Sequence, residues 1–452
     1  MLLNICLGPV GLVVRGIAGS QFLPLRRPGP EPTASEGQSM RAGTTIFILS
    51  YVLIALGEGS PRKLDRPTAA LVGAVLMLVT GALSQSEAAA AIDLRTLALL
   101  FGLMTLLAGL LQSRLPEALA FALLARIRGP YALLTAVVFG SGIAAAFMLN
   151  DTVCLLGTPL VLAVTARARV PATPYLLALA TGANIGSVMT LTGNPQNILI
   201  GHASGWSWSQ FALRMVPIGL LCLAADWVLL RVLYRGALIT HGKEAVPSAP
   251  PRVVVDIGLS RKSAAAFATF LVAVALGAPM ALSAVAAAAG LLVWANRPPR
   301  MLLEGVDWSL LLFFAGLFVI VAGLVKADEG VLNAWLARIG THMTSATVAK
   351  LSLATAVGSN VVSNVPFVLI VGRWVAHTAN PRFAWMLVSL TSTFAGNLTL
   401  LGSVANVIVA ERASPTVALR FRDFLRVGLP VTATTTVIGV LALTVFWRLG
   451  WV

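Results

Sequence analysis

The sequence predicts an all-α polytopic membrane protein built from two inverted-topology repeats. Each repeat is expected to hold about five transmembrane helices plus a re-entrant hairpin and a broken helix. Three observations carry this expectation. Mean hydropathy is +0.88, with 58% hydrophobic and 11% charged residues, less than half the roughly 25% charged residues of soluble domains. Apolar runs recur along the whole chain, the longest of them sufficient to cross a bilayer. Two of these runs are broken at their centres by polar and helix-breaking residues, and the second break repeats the first roughly 209 positions later.

Residues 1–42 read as an N-terminal extension. The apolar run Leu2–Val14 is short for a span and ends at Arg15, and Leu23–Ser39 is polar and Pro-rich. An extra first helix and a signal-like segment are open alternatives. The reading adopted is an extension outside the native chain, upstream of a start at Met40.

The first repeat, residues 43–234, opens with the apolar segments Thr44–Leu56, Ala69–Leu83 and Leu94–Leu111. A short segment, Pro116–Ile127, precedes a long stretch, Tyr131–Val164, with a polar break at Asn150-Asp151-Thr152. The broken helix Tyr175–Ile200 follows. Pro195 lacks an N–H and clashes with the preceding turn, so a helix cannot run smoothly through Thr192-Gly193-Asn194-Pro195. Phe211–Leu233 closes the repeat. A linker rich in Pro and charge, residues 235–262, marks the boundary.

The second repeat, residues 263–452, takes the same order: Ala264–Leu276, Ala281–Trp294, Leu310–Val325, then Val348–Val375 broken at Ser363-Asn364-Val365-Pro366. The broken helix Trp385–Ala410 and a last span, Val427–Phe446, complete it. Asp93, Gly102 and Gly109 match Asp307, Gly316 and Gly323 at one offset; Thr190, Gly193 and Asn197 match Thr399, Gly402 and Asn406 at another. Low-complexity apolar sequence repeats leucines and alanines by chance more readily than these polar and glycine positions, which predicts a duplication.

Basic residues flank the break at Asn150–Thr152 on both sides: Arg126 and Arg128 before it, Arg167 and Arg169 after. A segment that enters, turns and returns keeps both pairs on one side, as the positive-inside rule prefers. One re-entrant hairpin with about five spans is an odd number of crossings, so the repeats are expected to be inverted. Placing the linker in the cytoplasm puts roughly 20 of the 32 Lys and Arg on that side. The chain is therefore expected in the cell (inner) membrane as a multi-pass protein.

Composition also excludes function classes. The net charge of +15 is spread singly and in short clusters between apolar spans, which is a topology signal and no nucleic-acid stripe. Cys6, Cys154 and Cys222 form no CxxC pair, and Cys154 and Cys222 read as core thiols. The four histidines give no HExxH, and no GxxxxGK[ST] is present, so neither a metalloprotease motif nor ATP hydrolysis by this chain is expected. No nucleophile–base pair points to an enzyme.

The candidate ligand-binding residues lie at the four breaks. Duplicated broken helices near the bilayer midplane are where carriers bind substrate and coupling ions. The hairpin tips contribute Asn150, Asp151 and Thr152, with Ser363 and Asn364. The broken helices contribute Asn184, Ser187, Thr190, Thr192, Gly193, Asn194 and Asn197, with Thr393, Asn397, Thr399, Gly402, Ser403 and Asn406. Helix N-termini there favour an anion, and carbonyl and side-chain oxygens favour a cation. A sodium ion is expected among Asp151, Asn184, Asn364 and Thr393. The competing reading makes these Ser, Thr and Asn ordinary interhelical hydrogen-bonding groups. Asp151, the lone acid between Glu117 and Asp226, is either an ion or proton ligand or an N-cap of the second hairpin helix. Asp226, five residues before Arg231, reads as a salt-bridge member near a span end, and Asp93 and Asp307 read as helix caps.

The segments Asn150–Pro159, Asn184–Gly201 and Gly396–Glu411 resemble the ion-transporter superfamily. The most specific elements are Gly193-Asn194-Pro195-Gln196-Asn197-Ile198 and Gly402-Ser403-Val404-Ala405-Asn406-Val407. The likeness covers about residues 43–448 and is nearest to the arsenite-efflux and P-protein branch, described as citrate-transporter-like. It implies a carrier with a scaffold and a mobile hairpin domain moving like an elevator, as a homodimer. The related divalent-anion/sodium symporters have Ser-Asn-Thr at both hairpin tips; here the tips read Asn150-Asp151-Thr152 and Ser363-Asn364-Val365. The expected function is secondary transport of a small anion, an inorganic oxyanion such as arsenite or a carboxylate, coupled to H+ or Na+. Sodium/proton antiport is the alternative, and a channel or membrane-embedded enzyme ranks lower. No cofactor beyond the coupling ion is expected, and an ATPase partner stays open.

Overall fold

The computed structural model describes residues 34–56, 65–124, 127, 129–240, 253–414 and 416–452. Most of the 1–42 extension lies outside them. The described residues are helical throughout, with no strand among them. The helices are α1 (Ala34–Leu56), α2 (Arg66–Val79), α3 (Gln85–Ala91), α4 (Leu94–Gln112), α5 (Leu115–Leu124), α6 (Pro130–Phe147), α7 (Asn150–Arg167), α8 (Thr173–Ser187), α9 (Pro195–Ser204), α10 (Trp208–Leu233) and α11 (Arg235–Thr240). They continue with α12 (Ile257–Ala275), α13 (Met280–Trp294), α14 (Pro299–Leu303), α15 (Trp308–Ala327), α16 (Glu329–Ala337), α17 (Ser345–Val362), α18 (Asn364–Val375), α19 (Pro381–Ala395), α20 (Val404–Ala413) and α21 (Phe421–Arg448).

Six of these are long and apolar enough to cross a membrane: α4, α6, α10, α12, α15 and α21. Helices α2 and α13 are apolar but shorter, 14 and 15 residues, about 21–23 Å at 1.5 Å per residue. Large apolar side chains such as Leu213 and Val293 stand 70% and 88% exposed, as a lipid-facing surface requires.

Caps explain where several helices start. Asp307 accepts from Leu310 N at 2.9 Å, and Asp93 Oδ1 from Arg95 N and Thr96 N at 3.0 and 3.4 Å, the two helix-cap roles expected. Asp256 accepts from Leu259 N at 3.0 Å and begins α12 inside the segment read as linker.

The helices cluster into two compact units. One contains the described residues of Met1–Leu106 with Ala278–Thr341 and Leu369–His377. Within it α15 packs on α1, α2 and α3, and Lys326 Nζ meets Glu87 Oε2 at 2.8 Å. That hydrogen bond holds the Glu87 carboxyl down at about 2.

The other unit is Leu107–Gly277, His342–Val368 and Thr378–Val452, and holds every candidate site residue. Its core is made of α8 and α19. Every residue of α8 from Pro174 to Ser187 is buried, as is every residue of α19 from Phe383 to Ala395. A helix buried all round can turn its polar residues to a buried neighbour, as α19 does with Ser389, Ser392 and Thr393. Helix α6 packs along α8, α17 along α19, and α10 along α21. Cys154 and Cys222 are buried free thiols, as expected of core residues.

Candidate functional site

Both broken helices, the first helix–break–helix pair and the break of the second pair lie in this unit, while α18 beyond Val368 belongs to the other unit. The hairpin breaks fall within two residues of the expected places. The first hairpin breaks at Met148-Leu149, so Asn150, Asp151 and Thr152 form the first turn of α7. The physical reason is the first-turn amide, which has no partner inside its own helix. Asn150 N donates instead to Gly193 O at 3.0 Å. The N-cap is Leu149, so Asp151 is a first-turn residue and not the cap; there the positive helix end favours it. The second hairpin breaks at Ser363 alone, whose φ of 68° is left-handed, and Asn364 already begins α18.

The first broken helix is interrupted from Val188 to Asn194, all buried. Asn194 restarts the helix by accepting from Asn197 N at 2.8 Å, with Pro195 at the first helical position. The second is interrupted from Gly396 to Ser403 around a 3₁₀ turn, Leu400–Gly402, and Ser403 makes no side-chain cap bond.

Corresponding groups in the two breaks make the same hydrogen bonds. Asn197 Nδ2 donates to Ser187 O and Thr190 O at 3.2 and 3.0 Å. Asn406 Nδ2 donates to Gly396 O and Thr399 O, both at 2.8 Å. Each amide replaces backbone partners that the break removes, so each break is closed from within.

Asn184 joins the pieces. Its Nδ2 donates to Asn397 Oδ1 at 2.9 Å and Asn406 Oδ1 at 3.0 Å; its Oδ1 accepts from Asn150 Nδ2 and Ser403 Oγ, each at 3.0 Å. Both donors and both lone pairs of the amide are used. Around it, Asn194 Nδ2 donates to Ser187 Oγ at 2.8 Å and to Thr393 Oγ1 at 3.3 Å. Thr190 Oγ1 donates to Ala146 O of the first hairpin and lies 3.2 Å from Thr192 Oγ1.

The expected residues therefore divide. Asn150, Asn184, Ser187, Asn194, Thr393, Asn397, Ser403 and Asn406 form one hydrogen-bonded cluster. Asn197 joins it through its main-chain bond to Asn194 and by accepting from Ser389 Oγ at 2.6 Å. Gly193 and Gly402 let the chain fold back on itself: a Cβ at 193 would meet Ser187 O, and one at 402 would lie 2.9 Å from Gly396 O. Asp151, Thr152 and Asn364 are half-buried at the hairpin tips, and Ser363 is exposed.

Two residues outside the expected set belong to the cluster: Gln196 Nε2 donates to Thr393 Oγ1 at 3.3 Å, and Ser389 meets Asn197 as above. A third, Asn360, lies beside the second break and donates to Ala395 O at 3.0 Å. Asn360 is one helical turn from the Ser363 tip, a signal available in the sequence; Ser389 lies deep in an apolar run and gives none. Buried oxygens without partners line the hairpin ends: Asn150 Oδ1, Asn360 Oδ1 and Asn364 Oδ1.

Asp226 is not a salt-bridge member at a span end. It is 0% exposed, and its Oδ2 lies 2.9 Å from Thr181 Oγ1. Arg231 stacks over the rings of Tyr131 and Trp227, 4.8 and 5.3 Å from their centroids. Residues five apart face different sides of a helix and cannot meet as i, i+4 pairs do.

Broken helices closed by buried amides, with six helices among the described residues long and apolar enough to cross a membrane, are the build of an integral multi-pass membrane transporter. The chain belongs to the citrate transporter family (CitMHS), whose pattern matches residues 51–391. It is 34% identical over 468 residues to the silicon efflux transporter LSI3 of Oryza sativa subsp. japonica, covering 88% of this chain and 96% of that protein. It is 29% identical to a 46 kDa membrane protein of Mycobacterium leprae (strain TN), over 86% of this chain and 94% of that one. A putative transporter arsB of Dictyostelium discoideum is 23% identical over 87% of this chain and 90% of its own length.

Proposed function

We propose that the protein is a secondary active carrier of a small inorganic oxyacid, of the arsenite or silicic acid kind, driven by a proton or sodium gradient. The observation that carries this reading is the Asn184 cluster: a buried set of amides and hydroxyls, supplied by both broken helices and a hairpin, with no Lys or Arg among the buried polar groups of the described residues. A multiply charged carboxylate buried there has no cation to offset its desolvation. A weak oxyacid that is undissociated near neutral pH offers hydroxyls as both donors and acceptors, matching the amides. The names of the rice and Dictyostelium relatives agree with that chemistry.

In this reading the four breaks meet near the bilayer midplane, the two halves of the chain are inverted repeats, and the hairpin-bearing unit moves as an elevator within a homodimer in the inner membrane. The linker is cytoplasmic. Sodium, where it is the coupling ion, has oxygens to take at Asn150, Asn360 and Asn364. The Asn184 amide oxygen accepts two hydrogen bonds and Thr393 Oγ1 accepts from both Asn194 and Gln196, so neither keeps a free lone pair.

Purified protein in liposomes tests this directly. Arsenite and silicic acid are expected to accumulate against their gradients when a pH or sodium gradient is imposed, and citrate is expected not to. Citrate accumulation with neither oxyacid moving overturns the substrate class. Sodium-driven proton flux with no oxyacid or carboxylate present would establish a sodium/proton antiporter instead.

A further inference from the structure

Asp226 is a buried carboxyl that the substrate cluster does not use. It lies on α10, fully buried, and its Oδ1 has no hydrogen-bond partner. Among the described residues no cation forms an ion pair with it, although five helices pack against α10: α6, α8, α11, α12 and α21. Helices α6 and α8 bring only Tyr131 and Tyr175 as titratable groups, and Tyr175 Oη is bound to Pro130 O. Helix α21 brings Arg422, Asp423, Arg426 and Arg448, α12 brings Arg261 and Lys262, and α11 brings Arg235. On α10 itself are Arg214, Cys222 one turn away, and Arg231, which is stacked on Tyr131 and Trp227.

The proton count decides what Asp226 is. Thr181 Oγ1 lies 2.9 Å from Asp226 Oδ2 and 3.0 Å from Leu177 O. A hydroxyl has one proton to give. If that proton goes to Leu177 O, the contact with Asp226 needs a second proton, held on the carboxyl. An ionised carboxylate buried with one hydroxyl and no cation is heavily penalised, and an intramembrane acid of this kind points to function. Thr181 stands three residues before Asn184 on α8, so the two lie on neighbouring positions of one helix face.

We propose that Asp226 is the proton-binding carboxyl that couples proton movement to the Asn184 cluster, with Thr181 as the link. The inference rests on the carrier reading above, with the proton as coupling ion. On release, the Oδ2–H bond of Asp226 breaks and its proton passes to water. The Thr181 hydroxyl proton then turns from Leu177 O to the carboxylate, changing the hydrogen bonding of α8 one turn from Asn184. Rebinding of a proton reverses both changes.

Two measurements on the purified full-length protein test this. Infrared difference spectra across a pH titration are expected to contain a protonated-carboxyl band that disappears at high pH and is missing in Asp226→Asn. In liposomes, pH-driven arsenite accumulation is expected to fall to the level of protein-free vesicles in Asp226→Asn, while equilibrium arsenite exchange persists, which a misfolded carrier would not show. Thr181→Val is expected to keep the infrared band and lose most of the pH-driven accumulation. Unchanged pH-driven accumulation in Asp226→Asn overturns the proposal while the carrier reading stands. A wild type that moves no oxyacid overturns the carrier reading, and the infrared titration then still decides whether Asp226 binds a proton: no Asp226-dependent band overturns that too.

Discussion

The two broken helices close their gaps with the same tool and restart their second halves with different ones. Asn197 and Asn406 each turn an amide onto two carbonyls of their own break, at matching positions. Beyond that the two breaks diverge. The first break is buried throughout and restarts on a capped, Pro-led helix at Asn194-Pro195. The second is half-open between Leu398 and Leu401, carries a 3₁₀ turn, and restarts at Ser403 with no side-chain cap. The lesson is one of division: the shared amide satisfies the backbone, which any break in an apolar medium must do, and the remaining residues are free to differ. The first break is enclosed and capped; the second is partly open and uncapped.

The largest effect is expected where the two broken helices touch. Asn184→Ala strands Asn150 Nδ2, Asn397 Oδ1 and Asn406 Oδ1, at about 1–3 kcal/mol for each buried group left unpaired. A thermal melt in detergent should drop steeply and liposome flux should vanish; a variant that melts like wild type breaks the view that Asn184 joins the two broken helices.

Next comes the fold-back glycine. Gly193→Ala drives a Cβ against Ser187 O, so the backbone must shift, at about 1–3 kcal/mol. Gly402→Ala meets Gly396 O and Asn360 Oδ1 at 2.9 and 3.0 Å, at the looser break, and should cost less. Equal losses in melting temperature would remove the contrast in packing.

The caps give a smaller difference. Asn194→Ala should cost about 1 kcal/mol as a lost N-cap, plus its bond to Ser187. Ser403→Ala loses one interhelical hydrogen bond, about 0.6 kcal/mol. Denaturation of the two variants side by side reads the ordering.

The smallest expected effect separates both breaks from acid. Neither break contains a titratable side chain, so the penalties at Gly193, Gly402, Asn194 and Ser403 should not change as pH falls. Acid lability should come from ion-paired carboxyls outside the breaks, foremost Glu87, held at about 2 by Lys326. A depressed carboxyl stabilises the fold above its ordinary value of 4.5 and loses that contribution as pH falls toward about 2. Lys326→Met should lower the melting temperature slightly at neutral pH and flatten its fall on acidification.

Much of the site was legible because polar residues in an apolar run are few and each must be satisfied. Asn184, Asn194, Asn197, Asn397 and Asn406 stand out on that ground alone, and the matched offset of Asn197 and Asn406 anticipates their matched bonds. Ser389 and Thr181 do not stand out, since a hydroxyl can satisfy itself on the carbonyl one turn back, as Thr181 does on Leu177. Asp226 was misassigned because sequence distance to Arg231 ignores helix phase. The hairpin breaks fell at Met148-Leu149 and Ser363 because Asn150 and Asn364 are used inside the first helical turn.

What the sequence by itself determined is the membrane class, the helical spans and the places where helices must break, since these follow from hydropathy and from Pro and Gly chemistry. Only the tertiary structure decided which polar groups meet. Asn184 reaches Asn397 and Asn406 across more than two hundred residues, and Asp226 reaches Thr181 across forty-five. Such pairings depend on how the helices are rotated against one another, and hydropathy marks which face of a helix is apolar without recording which partner that face meets.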